Sequence, residues 1–198
     1  MRMCLSNTDR MPEARQMVFS ELMATSTGGE NAVYLASMLA SWLTGEGVLP
    51  ERMGLTPESF AAMMRRFFPD FSLPRTRGGG GDPLSDMPER QELAALFAEN
   101  YADTDEQRVW IADIVIAGCA GHHHLWEDLG LFCRRDLSAM MQANFPPLAE
   151  RNARDMKWKK FIYKQLCERE GIIACPAPTC DACADFKVCF APEDEPST

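Results

Sequence analysis

Four cysteines lie close together near the end of the chain, in the segment CPAPTCDACADFKVC. They are Cys175, Cys180, Cys183 and Cys189, with the spacing C-x4-C-x2-C-x5-C. Intervals this short allow one loop to turn four thiolates toward a common centre, and the two-residue interval lets neighbouring thiolates bind one metal or adjacent corners of a cluster. The spacing therefore predicts a cysteine-rich metal-binding loop over residues 175–189.

The spacing narrows the identity of the metal but leaves alternatives open. Structural zinc sites usually combine two well-separated C-x2-C pairs, whereas this segment contains one such pair with longer intervals on either side. An iron–sulfur cubane needs one thiolate for each metal corner and tolerates mixed short intervals. The pattern thus favours an iron–sulfur cluster over a zinc ion, and a loop without metal is the third alternative.

The three histidines of the chain are consecutive, in the segment GHHHLWEDLGL. His122, His123 and His124 could all be solvent-facing residues at the start of a helix. Alternatively, one imidazole faces the cluster and supplies a nitrogen ligand, with Glu127 or Asp128 as the hydrogen-bond acceptor that orients the ring. The residues alone do not separate these two interpretations.

A basic segment, residues 151–169, directly precedes the cysteines. It contains seven basic and two acidic residues, although the whole chain has a formal charge of −9. Such a run is either a solvated helix face or a positively charged track that draws an oxyanion or an acidic partner toward the thiols. The acidic balance of the whole chain argues against a general nucleic-acid-binding protein.

The elements that must position these residues are predicted to be helices. Apolar residues recur at helical spacing along most of the chain, and strand-like alternation is nearly absent. This pattern predicts an all-α helical bundle, formed as a single domain over residues 1–198. The last long helix is predicted to run without interruption from about Pro147 to Glu170, with Gly171 ending it.

Local signals mark where one helix begins and where the chain leaves the bundle. Thr56 and Pro57 are typical of the N-cap and the first position of a helix. Residues 68–88 include four consecutive glycines, which predicts a flexible Gly/Pro-rich loop. The acidic tail, residues 191–198, is expected to fray.

The expected role of the remaining cysteines depends on the cellular location of the protein. Cys4, Cys119, Cys133 and Cys167 are scattered, and we expect them to be small buried hydrophobes or surface thiols. The chain has no run of about 18 apolar residues, and its start lacks the apolar core of a signal peptide. We therefore expect a cytoplasmic protein, and in a reducing cytosol clustered thiols are more often metal ligands than disulfides.

With these motifs in order, the chain resembles the NifQ family, the molybdenum-handling proteins of nitrogenase cofactor assembly. The resemblance rests on CAGHHHLWEDLGL, on NFPPLAERNARDMKWKKFIYKQLCEREGI, and on the four-cysteine spacing followed by Phe190, all within residues 119–190. It implies a metallochaperone that carries a molybdenum–iron–sulfur cluster and donates molybdenum for biosynthesis of the iron–molybdenum cofactor in nitrogen fixation.

The resemblance also implies site residues, a cofactor and partners. Cys175, Cys180, Cys183 and Cys189 match the family's cluster ligands, and His124 matches a histidine typical of the family. The implied cofactor is an iron–sulfur cluster, of the 3Fe–4S or 4Fe–4S type, with molybdenum. The implied partners are the nitrogenase cofactor scaffold and maturation proteins (NifEN and NifH) and a source of molybdenum, either molybdate or a molybdenum–sulfur donor, with no nucleic acid and no membrane.

Other functions remain open at this point. The chain has no evident serine–histidine–aspartate set, phosphate loop or nucleotide fingerprint, so we expect a binding protein and not an enzyme. One alternative is a zinc-stapled interaction module, in which the metal only holds the C-terminal segment in place. Another is an iron–sulfur DNA-repair-like protein, against which stand the net charge of −9 and the absence of an evident helix-hairpin-helix glycine motif.

Cys183→Ala is expected to abolish retention of the cluster, because it removes one of the four predicted thiolates. Most of the helical signal should remain, since the apolar core is predicted elsewhere in the chain. Visible absorption and far-ultraviolet circular dichroism of anaerobically purified protein measure both effects. Loss of the whole fold would show that the loop has a different role.

Overall fold

The computed structural model describes residues 11–74, 84, 87–171 and 186–191. Within these ranges the chain forms ten α-helices, a short 3-10 turn at Glu51–Gly54 and no strand. The helices are α1 (Glu13–Ala24), α2 (Ala32–Thr44), α3 (Pro57–Phe67), α4 (Arg90–Ala98), α5 (Gln107–Cys119), α6 (Leu125–Asp128), α7 (Arg134–Asn144), α8 (Pro146–Arg151), α9 (Trp158–Arg169) and α10 (Phe186–Phe190). The predicted all-α fold is confirmed. None of the helices in these ranges is long and apolar enough to span a membrane.

Helix α5 lies at the centre of the core. All of its residues except Val109 and Asp113 are buried. A helix that is buried on every side needs neighbours all round, and α5 packs against α3, α4 and α6. The largely buried α2, which pairs with α1, belongs to the same core. The segment that follows α5, residues 120–124, therefore starts from a rigid position.

A buried polar network joins α2, α5 and α7. Asn31 and Asn144 are fully buried, and each donates to the other's side-chain oxygen at 2.8 Å. The guanidinium of Arg108 donates to the Asn144 oxygen at 2.7 Å and forms ion pairs with Glu30 and Asp103. Because these buried amides have partners within the protein, the network fixes the relative positions of the three helices.

The start of α3 agrees with the prediction from the sequence. The Thr56 hydroxyl accepts a hydrogen bond from the N–H of Ser59 at 3.1 Å. Pro57 occupies the first helical position, where its missing N–H costs nothing. Both signals are local, and both act as expected.

Three other predictions fall wholly or largely outside the described residues. They are the Gly/Pro-rich loop at 68–88, the cysteine loop at 175–189 and the acidic tail at 191–198. Each stays a prediction, as does the extent of the single domain.

The C-terminal helix is interrupted, so the prediction of one helix from Pro147 to Glu170 is wrong. A turn separates α8 from α9. The Asn152 side chain closes this turn, because it donates to the Met156 carbonyl and accepts from the Met156 N–H, both at 2.9 Å. Asp155 adopts a left-handed conformation (φ 56°), which an α-helix does not contain. Asparagine thus competes with the helical hydrogen bonds of its own backbone.

The interruption changes the position of Lys157, which comes directly before α9 instead of lying in the middle of a helix. A backbone N–H at the start of a helix has no partner within that helix and can bind another segment. The predicted end of the helix is confirmed, since α9 stops at Arg169 and Gly171 follows in the left-handed region (φ 68°).

Candidate metal centre

The structure describes two of the five predicted metal ligands, Cys189 and His124. Cys175, Cys180 and Cys183 lie outside the described residues, so their clustering around a metal stays a prediction. In the part of the chain that is described, no group of three or more histidine, cysteine, aspartate or glutamate residues could hold a metal ion. The fold does, however, bring Cys189 and His124 to one region.

Cys189 lies on α10, which contacts the turn before α9. The N–H of Lys157 donates to the Cys189 carbonyl at 2.9 Å. The guanidinium carbon of Arg154 lies 5.4 Å from the centre of the Phe190 ring, and both Cys189 and Phe190 are half-buried against the core. These contacts attach α10, which carries the last predicted cysteine ligand, to the turn before α9.

The three consecutive histidines connect the end of α5 to the start of α6. The His123 N–H donates to Asp128 Oδ2 at 3.1 Å, and the His124 N–H donates to Glu127 Oε2 at 3.0 Å. The sequence suggested these two carboxylates as partners of an imidazole, and in the structure each binds the main chain. The carboxylates therefore fix the path of residues 121–124, which we call the histidine segment.

Helix α9 reaches the histidine segment through Lys159. The ammonium of Lys159 donates to the carbonyl of Gly121 at 2.8 Å and also to Asp128 Oδ2. The Asp128 side chain is fully buried, and the Lys159 side chain is 18% exposed. Sequence reasoning missed this contact because 31 residues separate the two partners and no local pattern pairs them.

A cavity of about 250 Å³ lies between the histidine segment, the start of α9 and α10. Its lining consists of His122, His123, His124, Leu125, Lys157, Lys159, Lys160 and Val188. Among the described residues, no carboxylate pairs with the side chains of Lys157 or Lys160. No described carboxylate therefore neutralises the positive charge of these two lysines, and a cavity with this lining suits an anion.

A protein-family model described as NifQ matches residues 34–191. The chain belongs to the NifQ family. The matched range includes the histidine segment, the whole of α9 and all eight residues that line the cavity. Membership implies a role in biosynthesis of the nitrogenase iron–molybdenum cofactor.

Curated relatives support the same family over most of the chain. The protein NifQ of Azotobacter vinelandii is 37% identical over 174 residues, which cover 82% of this chain and 89% of that protein. The protein NifQ of Rhodobacter capsulatus is 37% identical over 164 residues, covering 80% and 87%. The protein NifQ of Klebsiella pneumoniae is 35% identical over 160 residues, covering 75% and 93%. No solved structure matches the chain.

In this member of the NifQ family, Cys119 is a core residue at the end of α5. Burial raises the pKa of its thiol to about 12, with Lys159 opposing this effect and Asp128 adding to it. A cysteine binds metal as the thiolate, and the burial of Cys119 disfavours this charged form. Cys119 thus agrees with the expectation of a small buried hydrophobe.

Cys119 is expected to resist alkylation by iodoacetamide in the folded, metal-free protein at pH 8. With a pKa of about 12, on the order of one thiol in ten thousand is ionised at that pH, and burial also blocks access. Cys167, half-buried on α9, is the internal comparison. Mass spectrometry with and without urea measures both sites, and rapid alkylation of Cys119 without urea would contradict its burial.

Proposed function

We propose that this protein is a metallochaperone and not an enzyme: it binds a molybdenum–iron–sulfur cluster and donates molybdenum for assembly of the nitrogenase iron–molybdenum cofactor. One observation carries the proposal. The Cys189 carbonyl accepts a hydrogen bond from the N–H of Lys157. Lys157 lines the same cavity as the three histidines. The segment that contains Cys189 and the histidine segment therefore meet at a positively charged cavity.

The cavity fits the chemistry of molybdenum entry. Molybdate is a compact tetrahedral dianion, and the positive charges of Lys157 and Lys160 in the cavity lining would attract it. A cavity of about 250 Å³ exceeds the roughly 30 Å³ that one water occupies in the liquid. An oxyanion can therefore enter it together with several waters.

The two kinds of donor suit binding followed by release. Cysteine thiolates are soft ligands that favour iron and reduced molybdenum, whereas imidazole is harder. In the proposed site Cys175, Cys180, Cys183 and Cys189 hold the cluster, and His124 holds molybdenum more loosely. The cluster is cargo, so a ligand set that lets molybdenum leave serves a donor better than one that retains it.

The proposed partners and location follow from the cargo. We propose that the protein delivers molybdenum to the nitrogenase cofactor scaffold and maturation proteins (NifEN and NifH), because that assembly consumes the metal. We further propose that it acts in the cytoplasm, where a reducing environment keeps the cluster cysteines as thiols.

A zinc-stapled interaction module is the second candidate. It is favoured by the way α10 packs, since Cys189 and Phe190 contact the core as the end of a stapled tail would. In that case the metal contributes folding free energy and is never released.

Elemental analysis of protein purified without oxygen tests the two candidates against each other. The metallochaperone predicts iron and acid-labile sulfide with substoichiometric molybdenum, together with visible absorption. The zinc module predicts stoichiometric zinc in colourless protein without iron or sulfide. Colourless protein that takes up neither iron nor molybdenum on reconstitution would exclude the metallochaperone.

His124→Ala is expected to lower the molybdenum content more than the iron content, because the cysteines that hold iron are unchanged. His122→Ala is the matched control, since it removes a neighbouring imidazole that also lines the cavity. Metal content per chain after anaerobic reconstitution is the measurement. A parallel loss of both metals, or no loss of either, would mean that His124 is not a selective molybdenum ligand.

A further inference from the structure

A buried ion pair holds the histidine segment against α9. Asp128 Oδ2 accepts hydrogen bonds from the His123 N–H at 3.1 Å and from the Lys159 ammonium. The same ammonium donates to the Gly121 carbonyl at 2.8 Å. One carboxylate and one ammonium thus bind main-chain groups on both sides of His122.

The carboxylate packs directly against the backbone of Gly121. A Cβ atom at this position would lie 2.4 Å from Asp128 Cγ and 2.5 and 2.6 Å from its two oxygens. Any other residue at this position would push the carboxylate away, since real Cβ atoms do not approach other atoms so closely. The close approach therefore depends on glycine.

The pair is poorly suited to stabilise the fold. Removing two charges from water is costly in a protein interior, and well-packed apolar residues often replace such pairs without loss of stability. Here the cost is high because the Asp128 side chain is fully buried. Its Oδ1 atom also has no hydrogen-bond partner within the described structure. The pair instead defines the position of the histidine segment relative to α9.

That geometry extends to the cysteine side of the cavity. Lys159 lies two residues after Lys157, whose N–H binds the Cys189 carbonyl. The start of α9 therefore connects the histidine segment to α10 through short, directional contacts. Any movement of the segment relative to Lys159 would change the distance between the histidines and Cys189.

We propose that Asp128 and Lys159 are positioning residues, which set the distance between the histidine segment and Cys189 and so allow the cavity to retain molybdenum. That the retained metal is molybdenum rests on the proposed function, whereas the positioning of the segment does not. Neither side chain needs to contact the metal for this role.

If Lys159 only attracted an anion through its charge, loss of the Asp128 charge would have the opposite effect on molybdenum uptake. Asp128→Asn keeps the size of the side chain and one oxygen for the His123 N–H, but it removes the charge that holds Lys159. If Lys159 acts only by attracting an anion, this variant makes the cavity more positive and molybdenum uptake rises. If the pair positions the segment, molybdenum retention falls although the positive charge has increased.

Asp128→Asn is tested first in the metal-free protein by hydrogen exchange. We expect the amides of His123 and His124 to exchange about tenfold faster, with protection in α5 unchanged, because the segment opens without loss of the core. After anaerobic reconstitution with iron, sulfide and molybdate, the molybdenum-to-iron ratio should fall about tenfold, the usual scale for loss of an indirect metal-site contact.

Two further variants keep the test decisive. Gly121→Ala displaces the carboxylate while leaving both charges in place, and it should produce the same two changes if Asp128→Asn does not fold. Asp103→Asn is the matched control, because it removes one partner of the buried Arg108 outside the cavity. It should lower thermal stability without changing exchange in the histidine segment or the metal ratio.

The double variant Asp128→Asn/Lys159→Met separates positioning from stability. Asp128→Asn leaves Lys159 without its counter-ion and should lower thermal stability, and removing both charges should restore it. Exchange in the segment should nevertheless stay fast, and the molybdenum-to-iron ratio should stay low. Full recovery of the ratio, or unchanged exchange in both Asp128→Asn and Gly121→Ala, overturns the proposal. A wild-type protein that binds no molybdenum overturns the proposed function instead, and the exchange result then decides the positioning role alone.

Discussion

The start of α9 makes two contacts on which the organisation of the cavity depends. The backbone of Lys157 binds the carbonyl of Cys189, and the ammonium of Lys159 binds Asp128 and Gly121. In both contacts the two partners are far apart in the chain, so the contacts bring distant segments to one place. The ordered start of one helix thus decides which segments face each other across the cavity.

The rest of the fold provides a rigid base for this arrangement. Helix α5 is buried along nearly its whole length, and the network around Asn31, Asn144 and Arg108 fixes it relative to α2 and α7. One residue, Ala120, separates the end of α5 from the histidine segment. A binding site on such a base can be held accurately by a few directional contacts, even though it is built from short connecting segments.

The features that the sequence predicted correctly depend on neighbouring residues. The helical class follows from apolar spacing, and the start of α3 follows from a Thr56 hydroxyl that binds an N–H three residues later. The interruption before α9 was missed because it depends partly on tertiary contacts: Arg134 on α7 donates to the Asp155 carbonyl at 2.8 Å. The spacing of the cysteines likewise predicts a metal but not its identity, since zinc and iron–sulfur sites use the same thiolate ligands.

Because the turn closed by Asn152 separates the two helices, the rotation of α9 about its own axis does not depend on the length of α8. Successive residues of an α-helix are rotated by about 100° about its axis, so in one continuous helix a single inserted residue near Pro147 would have turned Lys157 and Lys159 away from the histidines. With the interruption, changes of length in α8 can be absorbed before Asn152. Natural insertions and deletions should therefore be tolerated upstream of this turn and selected against between Lys157 and Lys160.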